Sequence, residues 1–239
     1  MLSGAADEWA SIDELARDYA GIIMQQQPEG AIRLSGFSAG GIFALAAARE
    51  LERRARQVSL IYMIETPLAL LDPACTHVSV LRSLITEVYD HLSSGLPRYH
   101  RLQPPDLSAS ILKLAKRIVR TKSESANLQH ILDWLAMQGL LAASGADSET
   151  RRFFAAFVRH SVLIEQLKVQ AVGAPVFLCR AKESWLSASP VDPSLSARIT
   201  RGGFQQEVLE GRHFELMHAP LVNALARNME TALANSRLA

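Results

Sequence analysis

Cysteine is nearly absent from this chain: only Cys75 and Cys179 occur in 239 residues, and their separation fits neither a zinc-ligand spacing nor a disulfide framework. One bridge between them is possible in principle, but a cysteine-built zinc site or a disulfide-stapled framework is not what this spacing suggests, and the simpler reading is a reducing compartment with both thiols as small buried hydrophobes. An excess of charge of one sign is missing too. With 25 Lys and Arg against 24 Asp and Glu the formal charge is +1, which supplies no whole-chain field for nucleic acid or an anionic membrane. No stretch runs for 18 apolar residues, and the opening MLSGAADEWA has neither a basic segment nor an apolar one, so a soluble, cytoplasmic chain is expected. The length suffices for a substantial core and stays within the range of one α/β domain, so a single domain over 1–239 is the expectation.

The elements that are present punctuate clearly. Ser11 followed by Glu14 fits a capping box and predicts a helix over SIDELARDYAGIIM, with Leu15, Tyr19 and Ile22 on its apolar side. It stops in QQQPEG, where Pro28 and Gly30 mark a turn. Residues 31–37 read as a short strand that gives way to Ser38, Ala39, Gly40 and Gly41, and IFALAAARELERRAR then carries a helix apolar at its start and charged at its end. Residues 58–64, VSLIYMI, are almost continuously apolar without alternation, as in a strand covered on both faces of a parallel sheet. A similar strand spans 174–180, a weaker one 205–210, and a last helix runs from about Pro220 to Leu233. Strand, helix, strand in this order argues for an α/β fold. Between the second and third strands about 100 residues read only as helices, near 76–93, 107–122, 126–140 and 149–168. That is too much for an ordinary crossover, and 73–168 is expected to form a helical lid insertion over the sheet edge where active sites of open α/β folds lie.

The chemistry centres on Gly36-Phe37-Ser38-Ala39-Gly40, a G-x-S-x-G nucleophile elbow. The pentapeptide alone arises by chance; here a strand precedes it and a small-residue helix follows, which is the context the motif requires. The plain alternative is a tight βα turn with Ser38 as a helix cap. In the functional reading Gly36 and Gly40 relieve crowding two residues either side of a strained Ser38, and the Ala39 backbone N–H points at a developing oxyanion. A serine nucleophile needs a histidine base and an acid to orient it. Of seven histidines only His213 and His218 follow a strand near the C-terminus; His213, in the loop Gly211-Arg-His-Phe, is taken as the base and His218 as a structural residue. Glu65, directly after the second strand, is taken as the acid, with Glu183 beyond the third strand as alternative and Asp72 as a further candidate. No metal site is expected.

These landmarks, taken in order, resemble the thioesterase domains of polyketide and nonribosomal peptide synthases, within the α/β-hydrolase superfamily. The helix at Ser11–Tyr19, the elbow Arg33–Gly41 with its doubled glycine, Leu60–Thr66, Ala174–Arg180 and Gly211–Met217 carry the resemblance, while the lid matches only in being helical. It implies an α/β-hydrolase-like, mostly parallel sheet, with the acid role falling on Glu65 where aspartate is usual. The family has further strands ahead of the helix at Ser11, so an N-terminally incomplete sheet is expected, with the second oxyanion donor unassigned. The resemblance also implies an acyl chain delivered as a thioester on the phosphopantetheine of an acyl or peptidyl carrier protein, with no cofactor bound by the chain itself and no nucleic acid or membrane partner. A free-standing chain and a domain of a larger synthase both satisfy it. A catalytically impaired hydrolase-like binding domain or fragment, and a small-molecule esterase of the same fold, remain as other readings. Lys113, Lys116, Arg117 and Arg120 fall on one stripe of a lid helix opposite Ile111, Leu114, Ala115 and Ile118; such a stripe is ordinarily a solvated face, and functionally it could attract an acidic carrier domain.

Overall fold

A computed structural model of the chain describes residues 9–71, 76–93, 104–121, 123–141, 145–165, 167–184 and 193–236. Helix α1, Ile12–Gln26, starts as the capping pattern predicts: Ser11 is extended and its hydroxyl accepts from the Glu14 N–H at 3.2 Å. The Glu14 carboxylate reaches back to the N–H of Ala10 at 2.8 Å, one residue ahead of the cap. The buried stripe is Ile12, Leu15, Ala16 and Ala20, whereas Ile22 is 39% exposed. Of the expected apolar side, Leu15 is buried, Tyr19 is half-buried with its ring 5.4 Å from that of Trp9, and only Ile22 faces outward.

Strand β1, Ile32–Phe37, leads through Ser38 into α2, Ala39–Arg53, which begins three residues ahead of its apolar run. Gly41 to Ala48 are buried without interruption, so the first half of α2 has no wet face. Strand β2, Val58–Ile64, follows, then the helical insertion, then β3, Val176–Ala181, and β4, Phe204–Leu209. The four strands form one sheet, ordered β1-β2-β3-β4 and parallel throughout. The register pairs Phe37 with Ile64, Ile64 with Cys179 and Cys179 with Glu207, which brings the strand ends into one row. Ile32 and Ser38 donate to Gln57 and Ile64, so the intervening Arg33, Ser35 and Phe37 turn their backbone groups away from β2. Among the described residues β1 is thus a sheet edge.

Alternate residues of β2 and β3 are buried on both faces. Leu60, Tyr62, Ile64, Phe177, Cys179 and Ala181 pack with Leu216 and with Leu225 and Ala232 of α8, Leu221–Asn235, while Ile61, Met63, Val176 and Leu178 fill the opposite face. Strand β4 is mostly exposed, with Val208 52% accessible, in keeping with its weaker sequence pattern. A short helix, α7, Pro193–Ile199, separates β3 from β4. The sequence reading missed it because seven residues carry too little periodicity.

The chain divides into two compact units, one within Ala74–Glu165 and the other within Trp9–Pro73 and Gln166–Ala239. The first holds the helices α3, His77–Ser93, α4, Pro104–Arg120, α5, Glu124–Met137, and α6, Ser148–Glu165. Its interior joins Tyr89 to Trp134 at 5.8 Å between ring centroids, and the Trp134 indole donates to Ser110 at 2.6 Å. Ile111, Leu114, Ala115 and Ile118 of α4 are buried, and Lys113, Lys116, Arg117 and Arg120 are exposed, as the stripe pattern implies.

Candidate active site

Ser38 occupies the bend between β1 and α2 with φ 52° and ψ −126°, backbone space that a residue with a Cβ enters only under constraint. Its N–H still completes the ladder to the Ile64 carbonyl at 2.8 Å, and its carbonyl accepts from Gly41 at 3.1 Å. The hydroxyl makes no capping bond to α2, so the plain helix-cap reading of Ser38 is not what the geometry displays. Ala39 is the first residue of α2 and its N–H has no intrahelical carbonyl to meet.

The glycines divide differently from the motif reading. A Cβ on Gly36 would lie 2.1 Å from the Gly40 carbonyl oxygen and 2.5 Å from the Gly41 nitrogen, so Gly36 is required by the backbone of α2. Among the described residues a Cβ on Gly40 meets nothing within 4 Å, and the expected steric role there is corrected. The second tight position is Gly41, where a Cβ would fall 1.9 Å from the Thr66 hydroxyl oxygen. Thr66 is buried and, among the described residues, its Oγ1 has no hydrogen-bond partner.

Glu65 follows β2 as Ser38 follows β1, again at positive φ (49°), and its N–H continues the ladder to the Cys179 carbonyl at 2.8 Å. The carboxylate is buried, with 1% residue exposure. One oxygen lies 3.1 Å from Nδ1 of His213, and the other accepts the Ala181 N–H. Burial pushes this carboxyl up, but hydrogen bonds from His213, the Ser184 hydroxyl and the Ala181 N–H outweigh it and hold the group below its ordinary value. An ionised Glu65 keeps the proton on Nδ1 and leaves Nε2 of His213 as an acceptor. His213 is itself 2% exposed; the rings of Phe37 and Phe214 lie 4.8 Å from it, which fixes the imidazole plane beside the end of β1.

The other candidates separate. Glu183 turns its carboxylate outward to Arg212, at 3.6 Å and half exposed, while its N–H donates to Gly211 at 3.0 Å. His218 is exposed beyond a single turn of 3-10 helix, Glu215–Met217. Asp72 lies outside the described residues. Sequence reasoning missed Phe37 as a histidine platform, Gly41 with Thr66, and Ser184. A doubled glycine in the elbow was the available signal for the second; the others are common residue types with no spacing to mark them. Among the described residues no cluster of His, Cys, Asp or Glu could hold a metal ion, and no helix is long and apolar enough to cross a membrane.

A parallel sheet with a serine on a strained strand-to-helix bend and a histidine held by a buried carboxylate at the same strand ends defines an α/β-hydrolase-like fold. The thioesterase-domain family model matches residues 3–69, the stretch carrying the elbow and Glu65. The fold is that of synthase thioesterase domains. A four-domain nonribosomal peptide synthetase in its holo form overlays 93% of this chain, 16% of its own, at TM-score 0.60 and 22% identity. The thioesterase domain of NocB, in covalent complex with a fluorophosphonate nocardicin G analogue, overlays 95% of this chain and 77% of its own at TM-score 0.55 and 15% identity. Among curated proteins, malpinin synthetase of Mortierella alpina is 40% identical over 58 residues, 24% of this chain and 1% of the synthetase. Atromentin synthetase of Tapinella panuoides is 23% identical over 147 residues, 57% of this chain and 15% of that protein. The chain thus spans a small part of the length of the curated relatives it matches.

Proposed function

We propose that the chain is a serine thioesterase that releases an acyl or peptidyl chain from the phosphopantetheine arm of a carrier protein through an acyl-serine intermediate. The observation that carries the reading is the buried Glu65–His213 pair, joined at 3.1 Å, with the His213 ring against Phe37, the residue before a strained Ser38 whose hydroxyl is not spent on capping. His213 Nε2 takes the Ser38 proton as Oγ bonds to the thioester carbonyl carbon, and the Ala39 N–H donates to the resulting oxyanion. The C–S bond then breaks, the thiol leaves with the proton held on His213, and acyl-Ser38 remains. Water, or a hydroxyl or amine of the acyl chain itself, loses a proton to His213 and attacks, giving free acid, lactone or lactam as Ser38 recovers its proton. Glu65 keeps Nδ1 protonated and stabilises the imidazolium throughout. No step calls for a metal or a bound cofactor.

The carrier domain belongs to the same reading, since the relatives are multidomain synthetases. The exposed cations Lys113, Lys116, Arg117 and Arg120 on α4 are the surface we assign to an acidic carrier. The helical insertion between β2 and β3 is read as the lid from its position in the chain. A second reading, a hydrolase-like binding domain with impaired catalysis, draws on the edge position of β1, which leaves the elbow strand paired on one side among the described residues. Intact-protein mass spectrometry after brief exposure to an acyl-pantetheine thioester separates the two: the expected result is one added acyl group, lost in Ser38→Ala, whereas folded protein without an adduct favours the binding domain.

A further inference from the structure

The turn after β3 carries a buried hydroxyl that the reaction scheme does not use. Ser184 is 5% exposed and its hydroxyl donates to the Glu65 carboxylate. The turn is tied on both sides. Ser184 N–H closes on the Ala181 carbonyl at 3.4 Å, and Ala181 N–H bonds the carboxylate oxygen of Glu65 that does not face His213. Toward β4, Lys182 N–H donates to Leu209 at 2.8 Å and Glu183 N–H to Gly211 at 3.0 Å, two residues before His213. One four-residue turn therefore holds both the acid and the loop that carries the histidine.

We propose that Ser184 is a positioning residue for the Glu65–His213 pair, its hydroxyl fixing the long glutamate arm so that one carboxylate oxygen stays on Nδ1. Glutamate has one more rotatable bond than aspartate, and each donor on its carboxylate removes part of that freedom. Ala181 and Ser184 are also small. His213 follows β4 and bonds a residue that follows β2, so its loop crosses the end of β3, where a large side chain would stand in the way.

The inference rests on the serine–histidine–glutamate reading above, and the test separates the two. Among the described residues, Cys179 and Arg180 of β3 are the titratable side chains besides His213 that sense the Glu65 charge, and Ser184 is the uncharged donor. Loss of the hydroxyl strips stabilisation from the carboxylate most when the imidazole is neutral, so the imidazolium gains and the acid limb of kcat/KM moves to higher pH. In Ser184→Ala we expect that limb to rise by about 0.3–1 pH unit and kcat to fall roughly 5- to 30-fold with KM within about twofold. Ser184→Thr keeps the hydroxyl and returns both. Nitrogen NMR of the His213 ring reads the same titration shift without turnover. If Ser38→Ala keeps full turnover the thioesterase reading fails, and the His213 titration still decides the role of Ser184. An unshifted limb and titration in Ser184→Ala overturn the proposal, as does Ser184→Thr when it is as impaired as alanine. Should Ser184→Ala fail to fold, Ser184→Cys, near in size and a weak donor, is expected to shift the titration in the same direction; an unshifted Ser184→Cys overturns it.

Discussion

Alanine at Gly40 is expected to leave the fold as stable as before or more so, although Gly40 is the second glycine of the motif. Among the described residues nothing lies within 4 Å of a Cβ there, and the residue sits in the first turn of α2 without positive φ. The substitution gains the helix preference of alanine over glycine, about 0.5–1 kcal/mol, a rise of roughly 1–4 °C in unfolding midpoint for a chain of this size. Gly36→Ala drives a Cβ to 2.1 Å from the Gly40 oxygen and 2.2 Å from its carbonyl carbon. Both are backbone atoms at the start of a buried helix, so α2 must shift as a body, at a cost of about 3 kcal/mol or more. Gly41→Ala is intermediate. The three atoms nearest its Cβ all belong to the Thr66 side chain, Oγ1 at 1.9 Å and Cβ and Cγ2 at 2.9 Å, and about 1–3 kcal/mol is expected. Adding Thr66→Ala should recover more than half of that loss, because among the described residues the Thr66 hydroxyl has no hydrogen bond to forfeit. Urea unfolding of the three single variants and the double variant, followed by circular dichroism, gives the order directly. A Gly40→Ala protein destabilised as much as Gly36→Ala, or a double variant no better than Gly41→Ala, refutes the reasoning.

Glu65→Gln is expected to lower kcat on acyl-pantetheine thioesters by a factor on the order of 10² to 10⁴, while Glu183→Gln stays within about twofold; the reverse ranking in steady-state assays assigns the acid role to Glu183 instead. The Glu50 carboxyl is held at about 2, chiefly by its hydrogen bond from Arg53, against burial and with help from Arg54. A depressed acid stabilises the fold above its ordinary value of 4.5 and loses that contribution as pH falls toward 2, so Glu50→Gln should flatten the urea midpoint across that window; an unchanged slope contradicts this. Reversing Lys113, Lys116, Arg117 and Arg120 to glutamate should raise KM for carrier-borne substrate by about fivefold or more at low salt and leave a small soluble thioester unaffected. Equal effects on both substrates remove the carrier from that surface.

The strands and the elbow were legible because their signals are local. Residues 58–64 are apolar without alternation, and β2 spans those residues with both faces buried. The Ser11–Glu14 pattern produced a helix start at Ile12. The less legible parts depend on what a residue meets across the fold. Ile22 has the spacing of a buried face, yet the stripe that α1 buries runs through Ile12, Leu15, Ala16 and Ala20. Gly40 and Gly41 are indistinguishable by composition, and only the position of Thr66, 25 residues further on, divides them. Glu65 and Glu183 both follow apolar strands; which one turns inward is set by the backbone at each strand end, positive φ at Glu65 and a turn bonded to Gly211 at Glu183.

The strand ends share one construction. Ser38 donates to Ile64, Glu65 to Cys179 and Lys182 to Leu209, each at 2.8 Å and each one residue past the last residue of β1, β2 and β3. The ladder therefore continues up to the nitrogen of the residue that bends, and the change of direction falls on its own φ. At Ser38 and Glu65 that angle is positive, at a cost of about 1–3 kcal/mol apiece. A flexible loop would avoid the cost and leave the side chain without a fixed direction. With the nitrogen pinned to the neighbouring strand, the strained residue has its Cα–Cβ direction set by the sheet, and the donors on the carboxylate fix the remaining rotations at Glu65. Across the row β1 contributes Ser38, β2 Glu65, β3 the turn with Ser184, and β4 the loop with His213. The histidine arrives from the strand farthest from the serine; Glu65 and the phenylalanine at the end of β1 hold its ring, and the small residues at the end of β3 leave its loop room to cross.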